Sequence, residues 1–224
     1  MTPMPKLRLA PSILTADFGR LEEEISSVAP FVDWFHLDVM DGHYVPNLTF
    51  GPTVVEAVRR ACATPLHVHL MIENPLEFAA TFVKAGVQRI SFHPEVVRDV
   101  AAAVAEVKAA GAEVGLAVHP DVPLSAVEPY LASLDVLLMM TVRPGFGGQK
   151  FLHEVVPKIT AARSALEEKG ANADIEVDGG VNLETVDIAV QAGGEILVAG
   201  SAIFDGVDAP AAARRLRERL DAMS

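Results

Sequence analysis

Strand-like and helix-like segments alternate along the chain, and this alternation constrains the fold more than any other feature of the sequence. The predicted strands are Leu7–Ser12, Trp34–Val39, Leu66–Met71, Arg89–His93, Glu113–Val118, Val136–Val142, Asp174–Val177 and Glu195–Ala199. The predicted helices are Phe18–Val28, Pro52–Ala61, Pro75–Ala85, Val96–Ala110, Leu124–Tyr130, Phe151–Lys169, Leu183–Ala192 and Ala209–Ala222. Eight strand–helix pairs at a spacing of roughly 25 residues are typical of a (β/α)8 barrel, the TIM-barrel class of α/β fold.

Glycines support the predicted helix ends. Gly86, Gly111, Gly170 and Gly193 each follow the last turn of a predicted helix, where a left-handed residue commonly ends it. The alternative fold is a doubly wound open sheet, which normally has a glycine-rich turn after its first strand. Here the first strand runs into Ala-Pro-Ser-Ile-Leu at residues 10–14, which favours the barrel. Because no Gly/Ser-rich linker divides the chain, residues 1–224 are expected to form a single domain.

Composition indicates the cellular compartment and argues against some classes of partner. Half of the 224 residues are hydrophobic, enough for one large core, and the formal net charge of −12 argues against a nucleic-acid partner. The single cysteine, Cys62, excludes a disulfide framework within the chain and favours a reducing compartment. Residues 1–12 lack the apolar stretch of a secretion signal, and no run is long enough to span a membrane. We therefore expect a soluble cytoplasmic protein with no membrane partner.

The second predicted strand carries polar residues where a buried strand normally carries Val, Ile or Leu. Successive side chains of a strand point to opposite faces, so His36, Asp38 and Met40 share one face while Leu37 and Val39 share the other. A buried charge is costly unless it is compensated, and a metal ion would compensate it. The strand therefore predicts a metal site.

Further candidate ligands lie near the carboxyl ends of other predicted strands, the edge where barrels of this class keep their active sites. The third strand offers His67 and His69, which face the same way, and Asp178 follows the seventh strand. Two imidazoles and two carboxylates suit Zn²⁺, with Fe²⁺, Mn²⁺ and Co²⁺ as alternatives. The spacing leaves the choice between His67 and His69 open. His93 and His119 also end strands and are weaker candidates.

Three loops at the same predicted edge are rich in glycine: 144-PGFGGQ-149, 178-DGG-180 and 199-AGSAIF-204. Converging backbone N–H groups hold a phosphate well, and glycine lets the backbone come that close. Each loop alone would be interpreted as a tight turn, but three on consecutive strands favour a phosphorylated ligand. A short helix, common at such sites, is expected after the eighth strand. The predicted phosphate cradle consists of Gly145, Gly147, Gly148, Gly179, Gly180, Gly200 and Ser201.

The remaining chemistry points to proton transfer. A Schiff-base mechanism needs an inward lysine on a strand, and the six lysines all lie outside the predicted strands. There is no Gly-x-Ser-x-Gly elbow either. Asp38 and Asp178 beside a metal suit removal of a proton from a carbon next to a carbonyl and its return to the other face. Met40, Met71 and Met140 would share the inward face, where packing is their default role.

Four motifs of the chain resemble the ribulose-phosphate 3-epimerase family. They are residues 34–47 (Trp-Phe-His-Leu-Asp-Val-Met-Asp-Gly-His-Tyr-Val-Pro-Asn), 69–71 (His-Leu-Met), 144–149 (Pro-Gly-Phe-Gly-Gly-Gln) and 176–181 (Glu-Val-Asp-Gly-Gly-Val). The resemblance extends from residues 10–14 to residues 200–204, nearly the whole chain. It implies a (β/α)8 barrel that interconverts D-ribulose 5-phosphate and D-xylulose 5-phosphate through a cis-enediolate, in the pentose phosphate pathway or the Calvin cycle.

The resemblance also implies a role for each matched residue. The implied ligands of one divalent transition metal per subunit are His36, Asp38, His69 and Asp178. The implied acid/base pair is Asp38 and Asp178. The implied substrate contacts are Ser12, His69, Phe146 and the glycines and serine of the phosphate cradle. Met40, Met71 and Met140 would support the intermediate, and the protein is expected to be a homo-oligomer, either a dimer or a hexamer.

Two positions depart from the family's usual pattern. His67 stands where Asp is usual, which would alter the surroundings of His69, and Arg143 stands where Asn or Glu is commoner. Arg143 would either assist phosphate binding or lie on the surface. Glu176, in phase with Asp178, is either a neighbour that retunes the metal-bound carboxylates or a solvated residue at the strand start. The loop from Asp41 to Gly51 is expected to act as a lid.

Three other functions are considered. The first is an epimerase of a six-carbon ketose phosphate such as allulose 6-phosphate, against which the intact Gly-Phe-Gly-Gly and Asp-Gly-Gly-Val motifs argue. The second is a decarboxylase on the same type of barrel, which would need Asp-x-Lys-x-x-Asp, whereas residues 38–41 read Asp-Val-Met-Asp. The third is a non-catalytic protein that binds metal or phosphate.

Overall fold

Eight parallel strands form one sheet in which the second to the eighth strands pair in sequence order and the first pairs with the eighth. The structure is a computed structural model that describes residues 6–224. The strands are Arg8–Pro11 (β1), Phe35–Met40 (β2), Leu66–Met71 (β3), Arg89–Phe92 (β4), Glu113–Val118 (β5), Val136–Met140 (β6), Asp174–Asp178 (β7) and Ile196–Ala199 (β8). The strand order β1-β8-β7-β6-β5-β4-β3-β2 never reverses, as it would in a doubly wound sheet, so the predicted (β/α)8 barrel is confirmed.

The barrel closes between β1 and β2 through a small number of contacts. The backbone N–H groups of Asp33 and Trp34 donate to the carbonyl of Leu9 at 2.9 and 3.3 Å. An isolated parallel bridge joins Ser12 to His36 just past the end of β1. This seam therefore brings two residues of the predicted site, from the first and second strands, next to each other.

Seven α-helices lie among the described residues: Leu21–Val28 (α1), Pro52–Ala61 (α2), Pro75–Lys84 (α3), Val100–Ala109 (α4), Val156–Lys169 (α5), Val186–Gln191 (α6) and Ala209–Asp221 (α7). None of these helices has the length and apolar character needed to cross a bilayer. Residues 1–5 belong to the segment predicted to lack a secretion signal, and they lie outside the residues that the structure describes.

Several predicted helices need correction. Helices α1, α5 and α6 begin later than predicted, α1 at Leu21 instead of Phe18, α5 at Val156 instead of Phe151 and α6 at Val186 instead of Leu183. The segment predicted as a helix over Leu124–Tyr130 forms two 3₁₀ segments, Leu124–Ala126 and Glu128–Ser133, because Pro129 lacks the N–H that an α-helix interior requires. The helix predicted from Val96 begins at Val100, where Asp99 caps it by accepting from the N–H of Ala102. The short helix expected after β8 is a single turn, in which the carbonyl of Gly200 accepts from Ile203 and Phe204.

The predicted helix-ending glycines adopt the expected conformation. The φ angles of Gly86, Gly111, Gly170 and Gly193 are +100°, +99°, +60° and +112°. A positive φ is costly for a residue with a Cβ atom, so glycine is favoured at these four turns. The four glycines therefore predict where these segments end.

The two faces of the sheet differ in chemistry. Leu37 and Val39 of β2 pack into the large apolar core between the sheet and the surrounding helices. The inner face, which most barrels fill with branched aliphatic residues, carries buried His, Asp, Glu, Arg and Ser side chains here. At the amino-terminal end of the barrel, the Arg8 guanidinium pairs with Asp174, and Arg89 stacks over the Trp34 ring at 4.2 Å. The barrel interior therefore contains a run of polar side chains that leads to the predicted site, beside a buried apolar cluster of Ala10, Val136, Ile196 and Val198.

Candidate active site

Four predicted ligands converge at the carboxyl ends of β2, β3 and β7. His36, Asp38, His69 and Asp178 each offer one ligand atom, and these atoms all lie within 4.8 Å of one another. The Nε2 atom of His36 lies 3.3 Å from Asp38 Oδ1 and 3.7 Å from Asp178 Oδ2. The Nδ1 atom of His69 lies 3.2 Å from Asp38 Oδ1 and 3.8 Å from Asp178 Oδ2. Two imidazoles and two carboxylates thus face one common point.

These separations fit a metal ion. Ligand atoms bound at about 2.0–2.2 Å in a tetrahedron lie roughly 3.3–3.6 Å from each other, close to the observed separations. The Nε2 atom of His36 is buried and has no hydrogen-bond partner among the described residues. A buried nitrogen without a partner is unfavourable, and a bound cation would satisfy it. The donor set therefore fits a divalent transition metal.

The structure distinguishes His67 from His69, the two candidate ligands between which the sequence spacing could not choose. His69 lies beside Asp38, whereas the Nδ1 atom of His67 lies 2.8 Å from Glu176 Oε2, one layer further down the barrel. His93 lies behind His69, with their Nε2 atoms 3.0 Å apart. Neither His67 nor His93 belongs to the four-residue group. The half-buried His119 lies outside it as well and accepts a bond from a backbone N–H of its own loop.

Glu176 is one of the most buried carboxylates in the protein, with 1% of its surface exposed, so the solvated alternative is wrong. Its Oε1 atom lies 2.8 Å from His36 Nδ1. Burial opposes ionisation of Glu176, but the neighbouring His67 and His36 outweigh it and lower the pKa of the carboxyl. The strand parity that placed Glu176 in phase with Asp178 was the signal of this inward position.

The two aspartates of the group differ in protonation when no metal is bound. Burial and the charge of Asp38 raise the pKa of Asp178 to about 8. Burial opposes ionisation of Asp38, but His36 and His69 outweigh it and lower the pKa of this carboxyl. Ser12 Oγ also donates to Asp38 Oδ2 at 2.5 Å. Two carboxyl groups whose pKa values differ in this way suit the roles of acid and base.

A cavity of about 660 Å³ opens above the two aspartates. Its walls include Ser12, Asp38 and Asp178 together with the predicted methionines Met40, Met71 and Met140, which are all buried. His36 and His69 are fully buried below the carboxylates and do not line the cavity. The contact of His69 with a substrate therefore stays a prediction.

The predicted phosphate cradle lines one side of this cavity. The lining includes Gly145, Phe146, Gly147, Gly148, Gly179, Gly180, Gly200 and Ser201. Lys150 and His153 line the same cavity and were missed in the sequence analysis, although both follow the glycine loop closely. Arg143, by contrast, donates to Asp121 at 3.0 Å and is largely exposed, so it lies on the surface.

Gly179 illustrates why the cradle needs glycine. Its φ angle is +125°, and a Cβ atom there would lie 2.5 Å from Val142 Cγ2 and 2.7 Å from the backbone N of Val142. The loop after β7 therefore packs directly against the backbone at the start of the loop after β6. This contact brings the two glycine-rich loops to one wall of the cavity.

We expect Gly179→Ala to lower the free energy of unfolding by about 2–5 kcal/mol, because it combines backbone strain with overpacking. Urea denaturation measures this loss. Gly170→Ala is the matched control, since Gly170 also has a positive φ but nothing lies within 4 Å of a Cβ built there. The control should cost about 1 kcal/mol. Equal losses in the two variants would contradict the close approach at Gly179.

The loop from Asp41 to Gly51 lies beside the cavity. The Asp41 carboxylate accepts from the backbone N–H groups of His43, Tyr44 and Glu73, which fixes the start of the loop. Asn47 Nδ2 donates to the carbonyl of Gly145 at 2.7 Å, so the loop touches the cradle. Its movement as a lid stays a prediction.

Fold and site together define a (β/α)8-barrel enzyme with a two-histidine, two-aspartate centre at the carboxyl ends of its strands. The sequence matches the ribulose-phosphate 3 epimerase family over residues 8–204. The chain belongs to the ribulose-phosphate 3-epimerase family and is an isomerase. This assignment excludes the decarboxylase alternative, and the Asp41 carboxylate accepts hydrogen bonds from the backbone N–H groups of its own loop.

Similar proteins agree with this assignment. A ribulose-phosphate 3-epimerase of Bacillus subtilis (strain 168) is 45% identical over 213 residues, which cover 94% of this chain and 98% of that protein. One of Mycobacterium leprae (strain TN) is 42% identical and covers 96% of both chains. The crystal structure of KGPDC from Streptococcus mutans in complex with D-R5P has a TM-score of 0.76 at 14% identity, over 96% of this chain and 98% of that one. At such low identity the structural similarity supports the fold alone.

Proposed function

We propose that this protein interconverts D-ribulose 5-phosphate and D-xylulose 5-phosphate by moving a proton at C3 between two aspartates. The observation that carries the proposal is that Asp38 and Asp178 reach the same cavity from different strands, β2 and β7. A substrate carbon held between two carboxyl groups can lose a proton to one and gain a proton from the other. This arrangement inverts the configuration of the carbon.

In this mechanism the two aspartates divide the roles of base and acid. The ionised member of the pair removes the C3 proton, which produces an enediolate, and the protonated member delivers a proton to the opposite face. Ser12, which donates to Asp38, holds that carboxylate in a fixed orientation. A divalent cation held by His36, Asp38, His69 and Asp178 would supply Lewis-acid stabilisation of the negative charge that develops on the substrate oxygens. Zn²⁺ is our preferred cation because the donors are nitrogen and oxygen atoms at near-tetrahedral separations.

The methionines provide the wall beside the reacting carbon. Met40 and Met71 pack together with Val45, and Met140 packs with Leu138 and Val142. Thioether groups are apolar, so they would keep water away from the intermediate. Because they carry no acidic proton, they would not protonate it. The cradle glycines would hold the phosphate through backbone N–H groups, with Lys150 adding positive charge and His153 an imidazole ring at the rim.

Deuterium exchange at C3 tests the proposal. The metal-loaded protein, mixed with D-ribulose 5-phosphate in D₂O, should incorporate deuterium at C3 and produce D-xylulose 5-phosphate, both observed by NMR. An Asp38→Asn/Asp178→Asn double variant purified in parallel controls for contaminating isomerases. Faster turnover of allulose 6-phosphate would favour the six-carbon alternative. If neither exchange nor product formation occurs, the epimerase mechanism is wrong and the non-catalytic alternative stands.

The homo-oligomer, as a dimer or a hexamer, and the cytoplasmic location remain predictions from the sequence. Size-exclusion chromatography with light scattering would measure the oligomeric state directly.

A further inference from the structure

Three buried side chains below the four-residue group are linked by hydrogen bonds to His36, a member of that group, in one series across β2, β3, β4 and β7. We call this series the buried relay; its members are Ser91, His67, Glu176 and His36. Ser91 Oγ lies 2.7 Å from His67 Nε2, and His67 Nδ1 lies 2.8 Å from Glu176 Oε2. Glu176 Oε1 lies 2.8 Å from His36 Nδ1. The relay thus ends on an imidazole whose other nitrogen faces Asp38 and Asp178.

The hydrogen-bonding capacity of each group sets the direction of the relay. An ionised carboxylate only accepts, so the Nδ1 atoms of both His36 and His67 donate to Glu176. His67 Nε2 is then the acceptor in a neutral ring, and the Ser91 hydroxyl donates to it. With Nδ1 of His36 committed to Glu176, only Nε2 is left to face the point shared by the two aspartates. The relay therefore selects both the orientation and the tautomer that a metal ligand needs.

The surroundings leave the relay little alternative. All four side chains are buried, with at most 1% of their surface exposed, so water does not compete for their hydrogen bonds. The Arg89 guanidinium, 3.9 Å from Glu176 Oε2, partly balances the carboxylate charge. Gly115 lies opposite Ser91 in the adjacent strand, and a Cβ atom at this glycine would collide with the Ser91 hydroxyl. The absence of a side chain at residue 115 therefore makes room for the first member of the relay.

We propose that the buried relay is a positioning device for His36, in which Glu176 and His67 set the affinity of the site for its divalent cation without touching cation or substrate. The inference rests on the metal site of the proposed function. It assigns a purpose to His67, which lies outside the ligand group, and to Glu176, which has no direct part in proton transfer. Partners of metal-bound histidines commonly change metal affinity by about 10–100-fold when they are replaced.

Glu176→Gln is the sharpest test. The amide oxygen can still accept from His36, but the amide nitrogen would then face the N–H of His67, so the relay breaks at that joint. We expect the dissociation constant for Co²⁺, measured by competition with a chromogenic chelator, to rise about 10–100-fold. His67→Leu should weaken binding in the same direction. His67→Gln, which can donate to Glu176 through its amide, should stay within about threefold of the wild type.

Asp174→Asn is the matched control. Asp174 is the inward carboxylate two residues before Glu176 on β7, and it pairs with Arg8 and, at 3.5 Å, with Arg89 instead of a histidine. Its loss should lower the melting temperature of the metal-free protein and leave the Co²⁺ dissociation constant within about twofold. The metal-induced rise in melting temperature should shrink in Glu176→Gln and stay unchanged in Asp174→Asn, because ligand stabilisation depends on affinity.

The outcomes separate the relay from the metal site. If Glu176→Gln and His67→Leu bind Co²⁺ as tightly as the wild type and only melt earlier, the relay is a structural network and the proposal is wrong. Where these variants fold poorly, Ser91→Ala, which removes only the hydroxyl that donates to His67, gives the same comparison with a smaller change in volume. A wild-type protein that binds no divalent cation would instead overturn the metal site itself, and the relay proposal with it.

Discussion

Asn in place of Asp178 is expected to lower the rate of epimerisation by about 10²–10⁴-fold, the contribution that one positioned acid or base commonly makes. Asp178 is buried beside Asp38, and its carboxyl faces the cavity. Asn has nearly the same shape and keeps an oxygen that can bind a metal, but it neither accepts nor delivers a proton. The loss should therefore appear in kcat, with a smaller change in KM.

Hydrogen–deuterium exchange at C3 would show from which face of the substrate Asp178 removes the proton. With one base missing, the variant should still exchange the C3 proton of the epimer that presents it to Asp38, and should not exchange that of the other epimer. Asp38→Asn should show the opposite preference. Metal content is measured in each preparation, so that loss of the cation is not mistaken for loss of a base. An Asp178→Asn protein that retains its metal and more than a tenth of wild-type turnover would contradict the two-aspartate mechanism.

Removal of divalent metal is expected to lower turnover by roughly 10³-fold or more, since a Lewis acid contributes several kcal/mol to stabilising developing oxyanion charge. The expectation follows from the donor set, in which two buried carboxylates and two imidazoles face one point. Dialysis against a strong chelator, followed by the deuterium-exchange assay, measures the loss. Addition of Zn²⁺, Mn²⁺, Fe²⁺ or Co²⁺ in separate samples should restore activity and rank the cations.

The same samples provide a stability control. Without a cation, the proximity of Asp38 and Asp178 should lower the melting temperature, and the added ion should raise it by an amount that depends on its concentration. Full activity in protein shown to be metal-free would exclude a catalytic role for the ion. Loss of activity together with unchanged folding, reversed by the ion, would support that role.

Much of the site is predictable from the sequence without the tertiary structure. Strand parity placed His36, Asp38 and Met40 on the inner face, and the positions of the glycine loops predicted the side of the cavity that they line. The errors arose where local pattern competes with a specific backbone group. Pro129 removed an N–H from a segment that otherwise looked helical, and the turn after β8 ended before a helix could form. Arg143 lies next to a glycine loop in sequence, yet its side chain turns outward to Asp121.

By itself the sequence determined the alternation of strands and helices, the inward parity of the polar residues and the family. Those properties are local, because periodicity, helix-ending glycines and short motifs are complete within a few residues of one another. Only the tertiary structure decided which of two inward histidines meets Asp38 and what the other one does. His67 and His69 share parity and lie one layer apart on β3. The position of β7 across the barrel places Glu176 against His67 and Asp178 near His69, and no pattern within a single strand contains this alignment.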